Sequence, residues 1–257
     1  MAISKEKTIK ELLEDDTFEL PVGFTDSTGT FQKTVKIREL TGAIEEALAE
    51  PKIRQNGGKV ITEAVYSLVE QAGNMKKFTK MDARNLTTAD RDFILLMNHK
   101  VSLGDEIEYQ AQCTHCGEIA DTTVNIDDIP VTYATEDEPK QIPVTLPRGI
   151  KGKDGEVFKE LKISYPTGLV QERILPTLSK NHIQAVTQMI SMCVESIKGL
   201  EHYNFDTFRE MGKKDRNAVQ DALNKLKVGA DLAPEVECPN CGKDFKAPIT
   251  TATLLGE

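Results

Sequence analysis

The sequence predicts an α+β fold: two tandem copies of a hairpin–helices–knuckle unit, joined at a shared four-cysteine site. Three observations predict it. Four of the five cysteines fall in two C-x2-C-G pieces, Cys113-Thr114-His115-Cys116-Gly117 and Cys238-Pro239-Asn240-Cys241-Gly242. Shifting the chain by 125 places lays Asp90-Arg91 on Asp215-Arg216, Lys100 on Lys225, Gly104 on Gly229, and one knuckle on the other, without a gap. Further upstream the shift becomes 126. Leu20-Pro21 then falls on Leu146-Pro147, Gly23 on Gly149, Gly29 on Gly155, Lys36-Ile37 on Lys162-Ile163 and Thr41-Gly42 on Thr167-Gly168. Identity is low, but the matches include the residues with special backbone or chemical roles, which is how a duplicated unit reads.

The elements follow in order. Residues 1–16 read as an N-terminal helical arm, and the first unit spans 17–126. It opens with a hairpin, Phe18–Phe24 and Phe31–Arg38, around a Gly-containing turn. A helix over Gly42–Glu50 stops before Pro51. An apolar stripe, Val60, Ile61, Ala64, Val65, Leu68, Val69 and Ala72, predicts a second helix ending at Gly73. Thr87-x-x-Asp90 resembles a capping box opening a helix over Asp90–Val101. Gly104 ends that helix, and strands Glu106–Gln112 and Asp121–Ile126 flank the first knuckle. Residues 127–140, with two prolines and a cluster of acids, read as a linker. The second unit, 141–257, repeats the order. Its hairpin is Ile142–Arg148 and Val157–Tyr165. Pro176 precedes a helix over Ile183–Leu200, a last helix covers Asp215–Val228, and Glu235–Glu237 and Phe245–Ile249 flank the second knuckle.

The chain has 257 residues, a formal charge of −9, 39% hydrophobic and 28% charged residues and no Trp. This is an ordinary balance for a soluble globular protein. No apolar run reaches the length of a membrane span, and the charged N-terminus has no signal-peptide core. The acidic balance argues against a nucleic-acid partner, which calls for a basic footprint. The scarcity of aromatics argues against a base-stacking platform.

Each C-x2-C turn aims two thiolates at one centre, and the glycine permits the closing backbone conformation. Two such turns make a tetrahedral four-thiolate set, a zinc-ribbon-like site suited to Zn(II), with Cys113, Cys116, Cys238 and Cys241 as ligands. Four cysteines close the coordination shell, so the metal is structural rather than catalytic. Iron in the same ligand set stays open. Disulfides are disfavoured because nothing points to export. A thioredoxin-like redox pair would sit once, at a helix start. His115 lies inside the first knuckle but is redundant beside four thiolates. Cys193 shares a helical face with Ile183, Val186, Ile190, Val194 and Ile197 and reads as a small buried hydrophobe.

A catalytic constellation is not visible. The phosphate-loop, nucleophile-elbow and H-E-x-x-H patterns are missing, and His99, His115, His182 and His202 have no ligand spacing. The segment Gly149–Gly155 is rich in Gly and Lys but falls at a hairpin tip rather than before a helix. The repeated Asp-Arg pairs read as a helix-start charge with a packing Arg. The short basic patches Lys76, Lys77, Lys80 and Lys213, Lys214 read as solvated loops.

One ordered set of residues carries a family resemblance. Arg38-Glu39-Leu40-Thr41-Gly42 precedes a helix. Then come Leu86-Thr87-Thr88-Ala89-Asp90-Arg91-Asp92-Phe93-Ile94-Leu95-Leu96, Ser102-Leu103-Gly104-Asp105 and the first knuckle. The stretch from about residue 30 to 120 resembles the baseplate hub and tail assembly proteins of T4-type contractile bacteriophages. The second copy resembles them more faintly. The resemblance implies a non-enzymatic virion or assembly protein, in the tail baseplate or in the host cytoplasm during assembly. It implies other baseplate, hub or tail-tube proteins as partners and no membrane. Two rivals remain, a zinc-ribbon nucleic-acid or transcription adaptor and a thiol-redox protein. The acids flanking the knuckles, Glu106, Glu108, Glu118, Asp121, Asp231, Glu235 and Glu237, argue against the first.

Overall fold

A computed structural model describes the backbone of residues 6–7, and residues 16–135, 141–152 and 155–256. The first half contains β1 (Glu6–Lys7), β2 (Thr17–Thr25), β3 (Phe31–Ile37), α1 (Gly42–Ala49), α2 (Pro51–Arg54), α3 (Gly57–Leu68), β4 (Val69–Ala72), α4 (Lys80–Asn85), α5 (Thr88–Leu103), β5 (Glu106–Gln112), β6 (Ile119–Asn125) and β7 (Val131–Thr132). The second contains β8 (Ile142–Lys151), β9 (Val157–Ile163), α6 (Gly168–Leu178), α7 (His182–Cys193), β10 (Val194–Ile197), α8 (Phe205–Arg209), α9 (Lys213–Asn224), β11 (Gly229–Ala230), β12 (Glu235–Glu237), β13 (Asp244–Lys246) and α10 (Thr251–Leu254). The chain thus mixes helix and sheet. The helical arm expected over residues 1–16 lies outside the described residues, except Glu6–Lys7, which pairs as a strand with β7, and Asp16.

The two hairpins are built alike. β2, β3 and β4 form one antiparallel sheet in that order, and β8, β9 and β10 form another. In both, the ladder is interrupted at Leu-Pro-x-Gly, between Glu19 and Phe24 and between Thr145 and Ile150. Proline has no N–H to give a ladder, so a bulge is where a sheet tolerates it. Gly23 closes the bulge at φ +82°, where a side chain would meet the Gln32 carbonyl, and Gly149 does so at φ +86° against the Phe158 carbonyl.

Two helices are shorter than their apolar stripes. α3 ends at Leu68 and α7 at Cys193, and the residues that follow are strands β4 and β10. The helix expected over Ile183–Leu200 is corrected accordingly. Both strands pair through a register shift. The bulge buries Val69 and Ala72, or Val194 and Ile197, three residues apart. That spacing imitates a helical face. Ile183 also departs from the expected apolar face: it is 59% exposed.

Pro176 precedes α7, as expected, but it also sits inside a further helix, α6. Its missing N–H leaves the Glu172 carbonyl without its usual intrahelical donor. Asn56 Nδ2 donates to that carbonyl at 2.9 Å, while Asn56 Oδ1 caps α3 by accepting from Gly58 and Lys59. One side chain thereby ties α3 to α6.

Packing divides the chain into two large cores. The first is built around α5, buried on every side from Phe93 to His99, and takes in β2–β4 and α3. The second gathers residues from Val144 to Leu223, with Leu226 against its edge. Residues after Gly229 return to the first core: Ala230, Leu232, Val236, Ile249, Leu254 and Leu255 all pack there. The stretch 127–135, expected as linker, is folded. Ile129 and Val131 are buried, and β7 lies between β1 and β11. Its prolines and acids fit a linker, but its alternating apolar residues reach the core.

Candidate metal centre

β5 and β6 pair along their whole length and present the first knuckle at their tip. β12 and β13 present the second. The turns have the same hydrogen bonding. Cys113 N–H donates to the Glu118 carbonyl at 2.9 Å and Gly117 N–H to the Cys113 carbonyl at 2.9 Å; the matching bonds are Cys238 to Lys243 at 3.0 Å and Gly242 to Cys238 at 2.8 Å. A small apolar floor of Ala111, Ala120, Phe245 and Ala247 lies under Cys113 and Cys238.

The four sulfurs lie within 4.8 Å of one another. Cys113 and Cys241 are 3.8 Å apart, as are Cys116 and Cys238. A tetrahedron of sulfurs about 2.3 Å from a central zinc has edges of about 3.8 Å. A disulfide would hold its sulfurs at about 2.05 Å. All five cysteines are free thiols. The donor set therefore fits a four-thiolate metal and not two cystines. Cys113 and Cys238 are buried, Cys241 is half-buried and Cys116 exposed.

The electrostatics fit the same reading. Backbone N–H groups of Cys116 and His115, with the Cys116 and Cys238 thiols, hold Cys113 down to about 6 against its burial. Cys116 is favoured as thiolate by the Glu118 N–H, yet local desolvation of its sulfur and the neighbouring thiols push it up to about 12. Cys241, beside the Lys243 N–H, is also raised by burial and by Cys238 and Cys113. Four thiolates cannot share this space without a cation.

The remaining candidates fall outside the cluster. His115 Nε2 donates to the Asp244 carbonyl at 3.0 Å, linking the two knuckles without joining the sulfurs. Cys193 is buried in the second core, and burial pushes its thiol up to about 12. Gly149–Gly155 is a hairpin tip, of which residues 153–154 lie outside the described residues.

Three residues of the two Asp-Arg pairs, Asp90, Arg91 and Asp215, have structural work. Asp90 Oδ1 accepts from the N–H groups of Val22 at 2.8 Å and Gly23 at 3.2 Å, the amides that the first bulge frees. Asp215 Oδ1 accepts from Arg148 at 2.8 Å and Gly149 at 3.3 Å, from the second bulge. Thr87 caps α5 and donates to Asp90 Oδ2 at 2.8 Å. Arg91 is fully buried; its Nη2 donates to Thr62 Oγ1 at 3.0 Å and the Gly58 carbonyl at 3.3 Å, and its Nη1 to the Ala83 carbonyl at 3.3 Å. Burial lowers its guanidinium to about 10.

Sequence reasoning missed Glu172. This buried carboxylate of α6 accepts from Thr62 Oγ1 at 2.5 Å and Arg84 Nε at 2.9 Å, both on the first core. The overlooked signal was Gly58, where any side chain would meet the Glu172 backbone.

These features define a class: a mixed helix-and-sheet protein whose two knuckles meet in one four-cysteine cluster. The chain belongs to the T4 bacteriophage base plate protein family, whose model matches residues 17–252. No curated protein and no solved structure matches it. Among the described residues, no helix is long and apolar enough to cross a membrane.

Proposed function

We propose that the protein is a non-enzymatic structural or assembly component of a contractile phage tail, acting in the central hub of the baseplate. The observation that carries this reading is the family match over residues 17–252. Its partners are other baseplate, hub or tail-tube proteins, and it works in the virion tail or in the host cytoplasm while tails assemble. The acidic surface around the knuckles favours this reading over a nucleic-acid adaptor.

Cys113, Cys116, Cys238 and Cys241 hold a structural zinc in this proposal. A bound Zn(II) supplies a cross-link and no chemistry. The residues around it do the rest: the apolar floor excludes water, and Tyr109, whose hydroxyl donates to the Ala247 carbonyl at 2.7 Å, seats the second hairpin on the first. The cross-link holds residues 229–256 onto the first core.

The two halves descend from one duplicated unit in the same proposal. Equal sheet orders support it, as do the bulge-capturing Asp90 and Asp215 and five glycine pairs that take positive φ at matching places. Duplication accounts for the 125-residue gap between knuckles.

The test is a phage carrying a nonsense codon in this gene, grown in suppressing and non-suppressing hosts. Without the protein, electron microscopy of lysates should show few complete baseplates and free tail components. Infectious particles with normal tails would overturn the proposal.

A further inference from the structure

Within this chain one helix is seated in one groove. α6 lies across α3, α4 and α5, with Gly168 over Arg91 and Glu172 bonded to Thr62 and Arg84. A side chain on Gly168 would fall 1.4 Å from Arg91 Nη1, and one on Gly57 would reach Leu175 at 3.7 Å.

Both partners have counterparts at the repeat offsets. The groove recurs on α7, α8 and α9, where Thr187, Arg209 and Arg216 stand in the places of Thr62, Arg84 and Arg91. The helix recurs as α1, where Thr41, Gly42 and Glu46 stand in the places of Thr167, Gly168 and Glu172. These counterparts do not meet in the chain. Gly42 faces open space, with nothing within 4 Å of a side chain built on it, and Glu46 is exposed. The second groove is an open cleft of about 520 Å³. Its side chains turn to local partners: Thr187 Oγ1 donates to the Ile183 carbonyl at 3.0 Å and Arg209 Nη1 to Asp206 at 3.0 Å. Arg216 Nε is buried without a hydrogen-bond partner.

We infer that the groove of α7, α8 and α9 receives α1 of a second copy of this chain, repeating between molecules the contact that α6 makes within one. The inference rests on the duplication proposed above. Charge supports the pairing. Arg209 and Arg216 line the groove, and Glu45, Glu46 and Glu50 are exposed on α1 and at its end. The outer contact is looser than the inner one: Leu175 lies over Gly57 and the Glu172 backbone over Gly58, whereas His182 and Ile183 take the places of these glycines. The incoming helix rides farther out, against the exposed Ile183 and Phe205. A contact of this kind uses different patches on the two copies, so it continues head to tail into a ring or filament.

The test is sedimentation of the full chain across a concentration series, with Glu46→Arg and Arg209→Glu, both surface changes. The wild type should associate with concentration, and each single variant should raise the apparent Kd about tenfold or more. An equimolar mixture of the two variants should associate again, because each surface then meets its opposite charge. A wild type that stays monomeric to about 1 mM, or variants that associate unchanged, would overturn the inference. A third variant, Glu172→Arg, separates the underlying reading. It should speed hydrogen exchange in α3 and α6 of the single chain. If it does not, the inner groove itself is misread; if it does while the wild type stays monomeric, only the intermolecular step fails.

Discussion

Asp92 is the residue whose chemistry opposes the fold. It follows the buried Arg91 on α5 and is half-buried itself. Burial pushes its carboxyl up to about 6, and the Arg91 charge offsets only part of this. In the unfolded chain an aspartate titrates near 4. The folded state therefore holds this proton more tightly. Stability tied to it is present below about pH 4 and is lost as pH rises towards 6. At the 125-residue offset the sequence carries Asn217, an uncharged residue of the same shape. Asp92→Asn should stabilise the protein by about 1–2 kcal/mol at pH 7.5, allowing for solvent screening, and raise Tm by about 4 °C. At pH 3.5 it should change Tm little. Thermal unfolding at the two pH values checks this, and an equal shift at both would mean that the gain is not electrostatic.

Between elements, the α6 crossing is the contact most sensitive to a single methyl group. Gly168→Ala places a carbon where Arg91 Nη1 now lies, with the Ala83 carbonyl 3.1 Å away. The guanidinium would have to leave three oxygen acceptors while staying buried. We expect a loss of about 2–3 kcal/mol, although alanine is the better helix former. Gly42→Ala is the matched control. Its new methyl meets nothing, so denaturant unfolding should show no loss. Equal effects at both positions would mean that the Arg91 pocket is irrelevant. The same contact shows where the sequence is legible. The hairpins, the Thr87 cap and the four cysteines carry local signals of alternation, capping and spacing, and can be read from the chain. β4 and β10 cannot, because their bulges bury residues three apart and mimic a helix. α6 was hidden by Pro176, whose tolerance depends on Asn56, 116 positions away from the carbonyl it reaches. Glu172 was hidden for the same reason: its partners are 88 and 110 positions off.

At the scale of the whole molecule, chain order and packing order disagree. The second knuckle follows the second core in sequence but is folded against the first, with residues 229–256. His99 Nδ1 lies 3.2 Å from the Leu254 carbonyl, and the Ile249 N–H donates to Leu232 at 2.7 Å within that returning segment. The segment is held by this packing, by the pairing of β11 with β7, by the Tyr109 and His115 hydrogen bonds and by the cysteine cluster. Structural zinc contributes about 10–16 kcal/mol of apparent binding energy in small peptides, as much as the whole stability of many domains. Loss of the proposed zinc should thus be felt unevenly. Native mass spectrometry of the purified chain should find one zinc per molecule. After a strong chelator, hydrogen exchange should quicken across residues 106–125 and 229–256, while the buried amides of β8, β9 and α7 in the second core keep their protection. Uniform loss of protection would make the clamp essential to both cores. No metal at all would remove the zinc assignment and reopen thiol chemistry at Cys113. One metal for every two chains would mean that the knuckles join different subunits, contrary to the 3.8 Å approach of Cys113 to Cys241 within one chain.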